Sequence, residues 1–178
     1  MKRHVALAGF MASGKSTIGR KLARRLGWRF VDTDALVVAE HGPIAEIFGS
    51  EGETAFRRYE RAAVDAALHS PERSVVALGG GALTVAATRA LVHENAYCVF
   101  IRVSPEQILA RIRRSREVRP VLGARPSLAS IRALYERRMA DYARAELAIE
   151  ASRRKDREVV AEIAQWLHDK NCDAGAAS

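Results

Sequence analysis

Cysteine and aromatic residues are scarce in this chain, and no apolar run is long enough to span a bilayer. Its 178 residues include two cysteines, Cys98 inside an apolar run and Cys172 in a polar tail. Two such residues build no disulfide framework and match no metal-ligand spacing, which suits a reducing cytoplasm. Aromatics make up 6% of the chain, and neither zinc-finger spacing nor an aromatic RNA-binding motif occurs. Nucleic acid is therefore not the expected partner, although the net charge is +8 and the pI is near 10.1. The arginines are scattered along helical stretches, and a positive cleft suits small polyanions equally well. No run approaches the ~18 apolar residues of a membrane span. Lys2-Arg3 followed by Val5–Ala12 mimics a signal peptide, but the run is short, and cleavage after it would destroy the motif that overlaps it. Export and membrane association are not expected.

That motif is Gly9-Phe10-Met11-Ala12-Ser13-Gly14-Lys15-Ser16-Thr17, which fits the phosphate-loop pattern G-x-x-x-x-G-K-S/T. It follows the apolar run Val5–Ala8 and opens an amphipathic stretch from Ser16 to Leu26, the strand–loop–helix context that a working loop requires. Gly9 and Gly14 allow tight turns and close approach of backbone N–H groups to phosphate oxygens. Lys15 offers a charge for terminal phosphates, and the Ser16 hydroxyl is a ligand for Mg²⁺. Nucleotide binding follows.

Short apolar runs alternate with amphipathic ones. Strands are expected at His4–Ala8, Arg29–Val31, Ser74–Leu78, Ala96–Val103 and Leu147–Ile149. Helices are expected near Lys15–Leu26, Asp34–His41, Ile44–Phe48, Gly52–Leu68, Val85–His93, Pro105–Arg113, Leu128–Arg144 and Asp156–Asp169. This alternation predicts an α/β fold with a parallel sheet covered on both faces. Ser50-Glu51-Gly52-Glu53 reads as a capping box, and Ser104-Pro105 as an N-cap followed by proline at the first helical position. The length suits a single domain over residues 1–170, with a flexible tail at 171–178. Residues 114–127, with Pro120, Gly123, Pro126 and several arginines, read as a mobile loop.

Three further constellations carry chemistry. Asp32 and Asp34, two apart on an extended segment, point toward the mouth of an open α/β sheet, although an Asp here also suits a helix cap. Arg57 and Glu60 share a helix face, so the carboxylate can aim the guanidinium at a substrate carboxylate, or the two form an ordinary surface pair. Gly79-Gly80-Gly81 after a strand implies that something approaches the backbone closely, unless it is a loose turn. Arg119-Pro120 and Arg137-Arg138 taken singly read as solvated arginines.

In this order the segments resemble shikimate kinase. The residues that carry the likeness are Gly9–Thr17, Asp32-Thr33-Asp34, Ile44–Phe48 with Gly52-Glu53 and Phe56-Arg57, Gly79–Gly81, Arg119–Leu122, and Arg138 with Tyr142. The resemblance implies a three-layer α/β/α P-loop kinase fold with a five-stranded parallel sheet and a lid near 114–127. It also implies ATP- and Mg²⁺-dependent phosphorylation of the 3-hydroxyl of shikimate; separately, the short chain favours a monomer, and the cysteine usage a cytoplasmic one. By that likeness Lys15, Asp34 and Arg119 are catalytic. ATP would lie on Ala12, Ser13, Gly14, Lys15, Ser16, Thr17, Arg119 and Arg154. Shikimate would be held by Asp34, Arg57, Gly79, Gly80, Gly81 and Arg138, and Mg²⁺ by Ser16 and Asp32. The arginine packed on adenine is Arg111, Arg113, Arg114 or Arg154. The alternatives are a same-fold kinase for another small acceptor, such as gluconate or a nucleoside monophosphate, and a non-catalytic binding protein.

Overall fold

A computed structural model describes residues 2–115, 120–123 and 126–175. Five parallel strands form one sheet in the order β2-β3-β1-β4-β5, with β1 at His4–Ala8, β2 at Arg29–Asp32, β3 at Ser74–Ala77, β4 at Ala96–Arg102 and β5 at Leu147–Glu150. Every residue of β1 and β3 is buried, as strands covered on both faces must be. Helix α1 (Lys15–Leu26) packs with α8 (Asp156–Gly175), and α4 (Gly52–Leu68) packs with α5 (Ala86–Asn95). The expected α/β fold and five-stranded sheet are present, and element ends differ from expectation by a few residues, α8 continuing furthest. Among the described residues no helix is long and apolar enough to cross a membrane.

Sequence explains most of the local geometry. Helix α1 starts behind Gly14, whose φ of 99° is left-handed, with no side chain capping it. Its first N–H groups are thus left for an anion. Gly19, inside α1, has another reason to be glycine: a Cβ there would lie 2.5 Å from the Phe30 ring of β2. Helix α6 (Pro105–Arg114) has the expected cap, the Ser104 hydroxyl accepting from the Gln107 N–H at 3.4 Å.

The expected capping box at Ser50–Glu53 does not form. Ser50 is instead the last residue of α3 (Ile44–Ser50) and its hydroxyl donates back to the Glu46 carbonyl at 2.7 Å. Glu53 accepts from Arg57 rather than reaching back to the helix start. Both side chains have partners one turn away along their own helices.

Helices α2 (Thr33–His41), α3 and α4 share a small apolar cluster of their own, built on Val37, Ile47 and Phe56. It stands apart from the main core around β1 and β4. Met11, Asp34 and Gly80, which follow β1, β2 and β3, line one pocket with Phe48 and Phe56 of this group.

Candidate active site

A cavity of about 610 Å³ lies over the loop between β1 and α1. Ser13, Lys15, Asp32, Asp34, Arg111 and Arg154 are among its walls. A smaller pocket of about 90 Å³ shares Met11, Asp34, Ile44 and Gly80 with it, and adds Arg57, Glu60, Gly81 and Arg138. The two chambers are contiguous through Asp34. One is dominated by the phosphate loop, the other by two arginines.

In the first chamber, Lys15 is largely buried and donates to the carbonyls of Gly9 and Phe10 at 2.9 and 3.0 Å. Its ammonium is thereby held against the loop it serves. The Ser16 hydroxyl donates to one Asp32 carboxylate oxygen at 2.6 Å. The other Asp32 oxygen accepts from the N–H groups of Asp34 and Ala35 at 3.2 and 3.4 Å, capping α2. Asp32 thus caps α2 with one oxygen, as its cap reading has it, and meets Ser16 beside the cavity with the other. The shared extended geometry does not hold, because Asp34 sits in the first turn of α2. Both carboxylates still reach the same cavity.

The Arg57–Glu60 spacing yields an ion pair of 2.7 Å, and Glu53 accepts from the same guanidinium at 2.9 Å. This is no solvated surface pair, since Glu60 is only 2% exposed. Burial opposes the charge on Arg57, but Glu60 and Glu53 outweigh it and raise its pKa. Burial pushes the Glu60 carboxyl up, Arg57 pulls it back, and the neighbouring Asp34 pushes it up again.

Gly79–Gly81 turns out to be approached by the protein's own side chains. A Cβ on Gly79 would collide with Glu60 Oε1 and lie 2.7 Å from Asp34 Oδ1. On Gly81 it would lie 2.5 Å from the Arg57 guanidinium. Gly79 and Gly81 thus let two acids and an arginine crowd one loop, while Gly80 admits the Met11 backbone, whose nitrogen would lie 3.0 Å from a Cβ there. Thr33, given no role of its own by the sequence, is fully buried and ties this loop to the end of β2, accepting from the Gly79 N–H at 3.0 Å and donating to the Ala77 carbonyl at 3.3 Å.

Arg138 departs from the solvated reading of Arg137-Arg138. Arg137 is exposed, whereas Arg138 is 4% exposed, lies over the Phe10 ring, and donates to the Gly80 carbonyl at 3.0 Å. Tyr142, also on α7 (Leu128–Tyr142), donates to the same oxygen at 2.5 Å. Of the candidate adenine arginines, Arg111 and Arg154 line the large cavity, Arg154 donating to Glu162 at 2.6 Å. Arg113 and Arg114 are exposed. Arg119 and the rest of 116–119, with 124–125, lie outside the described residues of the expected lid; within it, Pro120–Leu122 forms a 3₁₀ turn near α3.

A phosphate-binding loop feeding a parallel sheet, with an acid at the junction to a pocket bearing two arginines, defines a P-loop kinase for a small anionic acceptor. The family model for shikimate kinase matches residues 11–168. The shikimate kinase of Geobacter sulfurreducens is 42% identical over 168 residues, covering 94% of this chain and 92% of its own length. That of Moorella thermoacetica is 40% identical over 168 residues, covering 94% and 95%. Among solved structures, shikimate kinase from Acinetobacter baumannii in complex with shikimate superposes with a TM-score of 0.89 at 30% identity, covering 96% of this chain and 95% of that one. The chain belongs to the shikimate kinase family.

Proposed function

We propose that this protein transfers the γ-phosphoryl group of ATP to the 3-hydroxyl of shikimate. The observation that carries this reading is the convergence of Asp34, the Arg57–Glu60 pair, Arg138 and Gly79–Gly81 on a pocket adjoining the phosphate loop. Shikimate is a hydroxylated ring carboxylate. Two guanidiniums suit its carboxylate, and Asp34, between the chambers, suits the hydroxyl that attacks. The Acinetobacter relative, solved with shikimate, supports the same acceptor.

Phosphoryl transfer asks a protein chiefly for alignment and charge neutralisation. ATP would lie on Ala12–Thr17, with the N–H groups at the start of α1 and Lys15 at its phosphates and with Arg154 near the base. Asp34 orients the attacking hydroxyl and accepts its proton or its hydrogen bond. Arg57 and Arg138 hold the carboxylate, and backbone groups of Gly79–Gly81 contact the ring hydroxyls. Arg119 is assigned to the transferring phosphoryl group, and closure of residues 114–127 to exclusion of water.

Ser16 and Asp32 suit Mg²⁺: their oxygens are hard donors only 2.6 Å apart beside the phosphate cavity. They would hold the ion, which supplies charge neutralisation at the phosphate oxygens when bound. The proposed unit is a monomeric domain over residues 1–170 acting in the cytoplasm, where ATP and Mg²⁺ are plentiful. Mass spectrometry of a reaction containing Mg²⁺, ATP and shikimate tests the reading. Shikimate 3-phosphate is the expected product, and its absence under conditions that bind ATP would refute it.

A further inference from the structure

Among the described residues, Ala12 is the one non-glycine with positive φ, at 59°. A Cβ in the left-handed region crowds the backbone, so such a turn persists only where its surroundings over-determine it. Here the surroundings include a cation from another element. The Arg111 guanidinium, in the last turn of α6, donates through Nη1 to the Ala12 carbonyl at 3.0 Å and to the Ser13 carbonyl at 2.9 Å. The Ser13 N–H in turn donates to the Phe10 carbonyl at 3.1 Å, closing the tight turn that contains Ala12. Lys15 takes the carbonyls of Gly9 and Phe10. Four loop carbonyls are thus held by two cations, one from inside the loop and one from outside it. With its carbonyls held this way, the loop is free to turn its N–H groups toward phosphate.

We infer that Arg111 is a positioning residue for the phosphate loop: by bonding the Ala12 and Ser13 carbonyls it holds the left-handed turn at Ala12 in its phosphate-binding shape. This deepens the kinase reading and rests on its nucleotide site. Without Arg111 the Ala12 turn relaxes toward negative φ, and nucleotide must restore it on binding. A glycine at position 12 carries no such strain, so the same loop would need the clamp much less.

A double-mutant cycle separates this role from a direct contact between Arg111 and the nucleotide, whether with the base or with the phosphate charge. The dissociation constant for Mg-ADP is measured by calorimetry for the wild type, Ala12→Gly, Arg111→Met and the double variant, with thermal unfolding to verify that each is folded. Arg111→Met should weaken Mg-ADP about five- to tenfold beside Ala12, and less than twofold in the Ala12→Gly background. Equal losses in both backgrounds would mean that Arg111 acts on the nucleotide itself, and no loss in either would mean that it does nothing for the loop. Either result overturns the clamp. A wild type that binds Mg-ADP but not shikimate would remove the acceptor reading and leave the clamp standing. One that binds no Mg-ADP would remove both.

Discussion

Arg138 and Tyr142, one turn apart on α7, donate to the same acceptor, the Gly80 carbonyl oxygen, at 3.0 and 2.5 Å. That oxygen sits in the middle of the glycine triplet, so α7 grips the loop on which the acceptor is proposed to rest. Tyr142 is held for this by stacking on Phe100 of β4 at a ring separation of 4.8 Å, and burial pushes its hydroxyl up to about 12, so it remains a donor throughout the working pH range. Tyr142→Phe keeps the ring and removes only the donor. The expected result is a several-fold rise in the KM for shikimate with little change in the KM for ATP, and a stability loss of about 1 kcal/mol. Steady-state kinetics with each substrate varied in turn, plus urea unfolding, check it. Equal damage to both KM values would point to general loosening instead.

Gly79→Ala tests whether the triplet is a packing requirement. The added methyl meets Glu60 and Asp34 at once, and both are tied to the acceptor pocket. Shikimate binding should fall by more than tenfold, since the methyl forces the two carboxylates to move. ADP binding should be nearly intact. Calorimetric titration with each ligand reads both, and an unchanged shikimate affinity would show that the crowding is relieved elsewhere.

Glu60 gives a pH signature. Burial holds its carboxyl above the ordinary range, with Arg57 opposing and Asp34 adding to the rise. It should therefore protonate earlier than an exposed glutamate as pH falls, releasing its hold on Arg57. In the wild type the KM for shikimate should climb on the acid side. In Glu60→Gln it should be raised already at neutral pH and climb less steeply below. Parallel acid limbs for the two proteins would assign that limb to another group.

His4 makes an independent prediction about stability. Its ring is buried at the start of β1, with Nδ1 2.8 Å from the Ser74 hydroxyl. Burial, and then the Arg3 charge, lower its pKa from the usual 6.5. Between the folded value and 6.5 the unfolded chain binds more protons, so this contribution is complete above 6.5 and shrinks as pH drops below it. The melting temperature should decline as pH falls through that window, and His4→Asn should decline less. Identical slopes would place the acid sensitivity in other groups.

The phosphate loop, the strand and helix order and the parallel sheet were legible because each is written in local spacing: apolar period, glycine position, a lysine beside a serine. The Arg57–Glu60 pair was legible as a pair for the same reason, being three apart on one helix. Its burial was not, because the Gly79 loop that covers Glu60 arrives from a distant strand. Arg138 shows the same limit more sharply. On its own helix it resembles its exposed neighbour Arg137, and only the approach of Phe10 and Gly80 distinguishes the two. Ser50 shows the opposite limit: the local pattern fits a capping box, but α3 runs on as far as Ser50, whose hydroxyl turns back to Glu46. The clamp of Arg111 on Ala12 and Ser13 joins residues about a hundred positions apart. No spacing rule anticipates it.

The most direct test of the account is an ADP-release assay with Mg-ATP, run without acceptor and then with shikimate, gluconate or nucleoside monophosphates. ADP release that depends on shikimate, and is at least a hundredfold lower in kcat/KM with the other acceptors, is the predicted result. Release that ignores shikimate, or favours gluconate or a nucleoside monophosphate, would contradict the assignment of the two-arginine pocket.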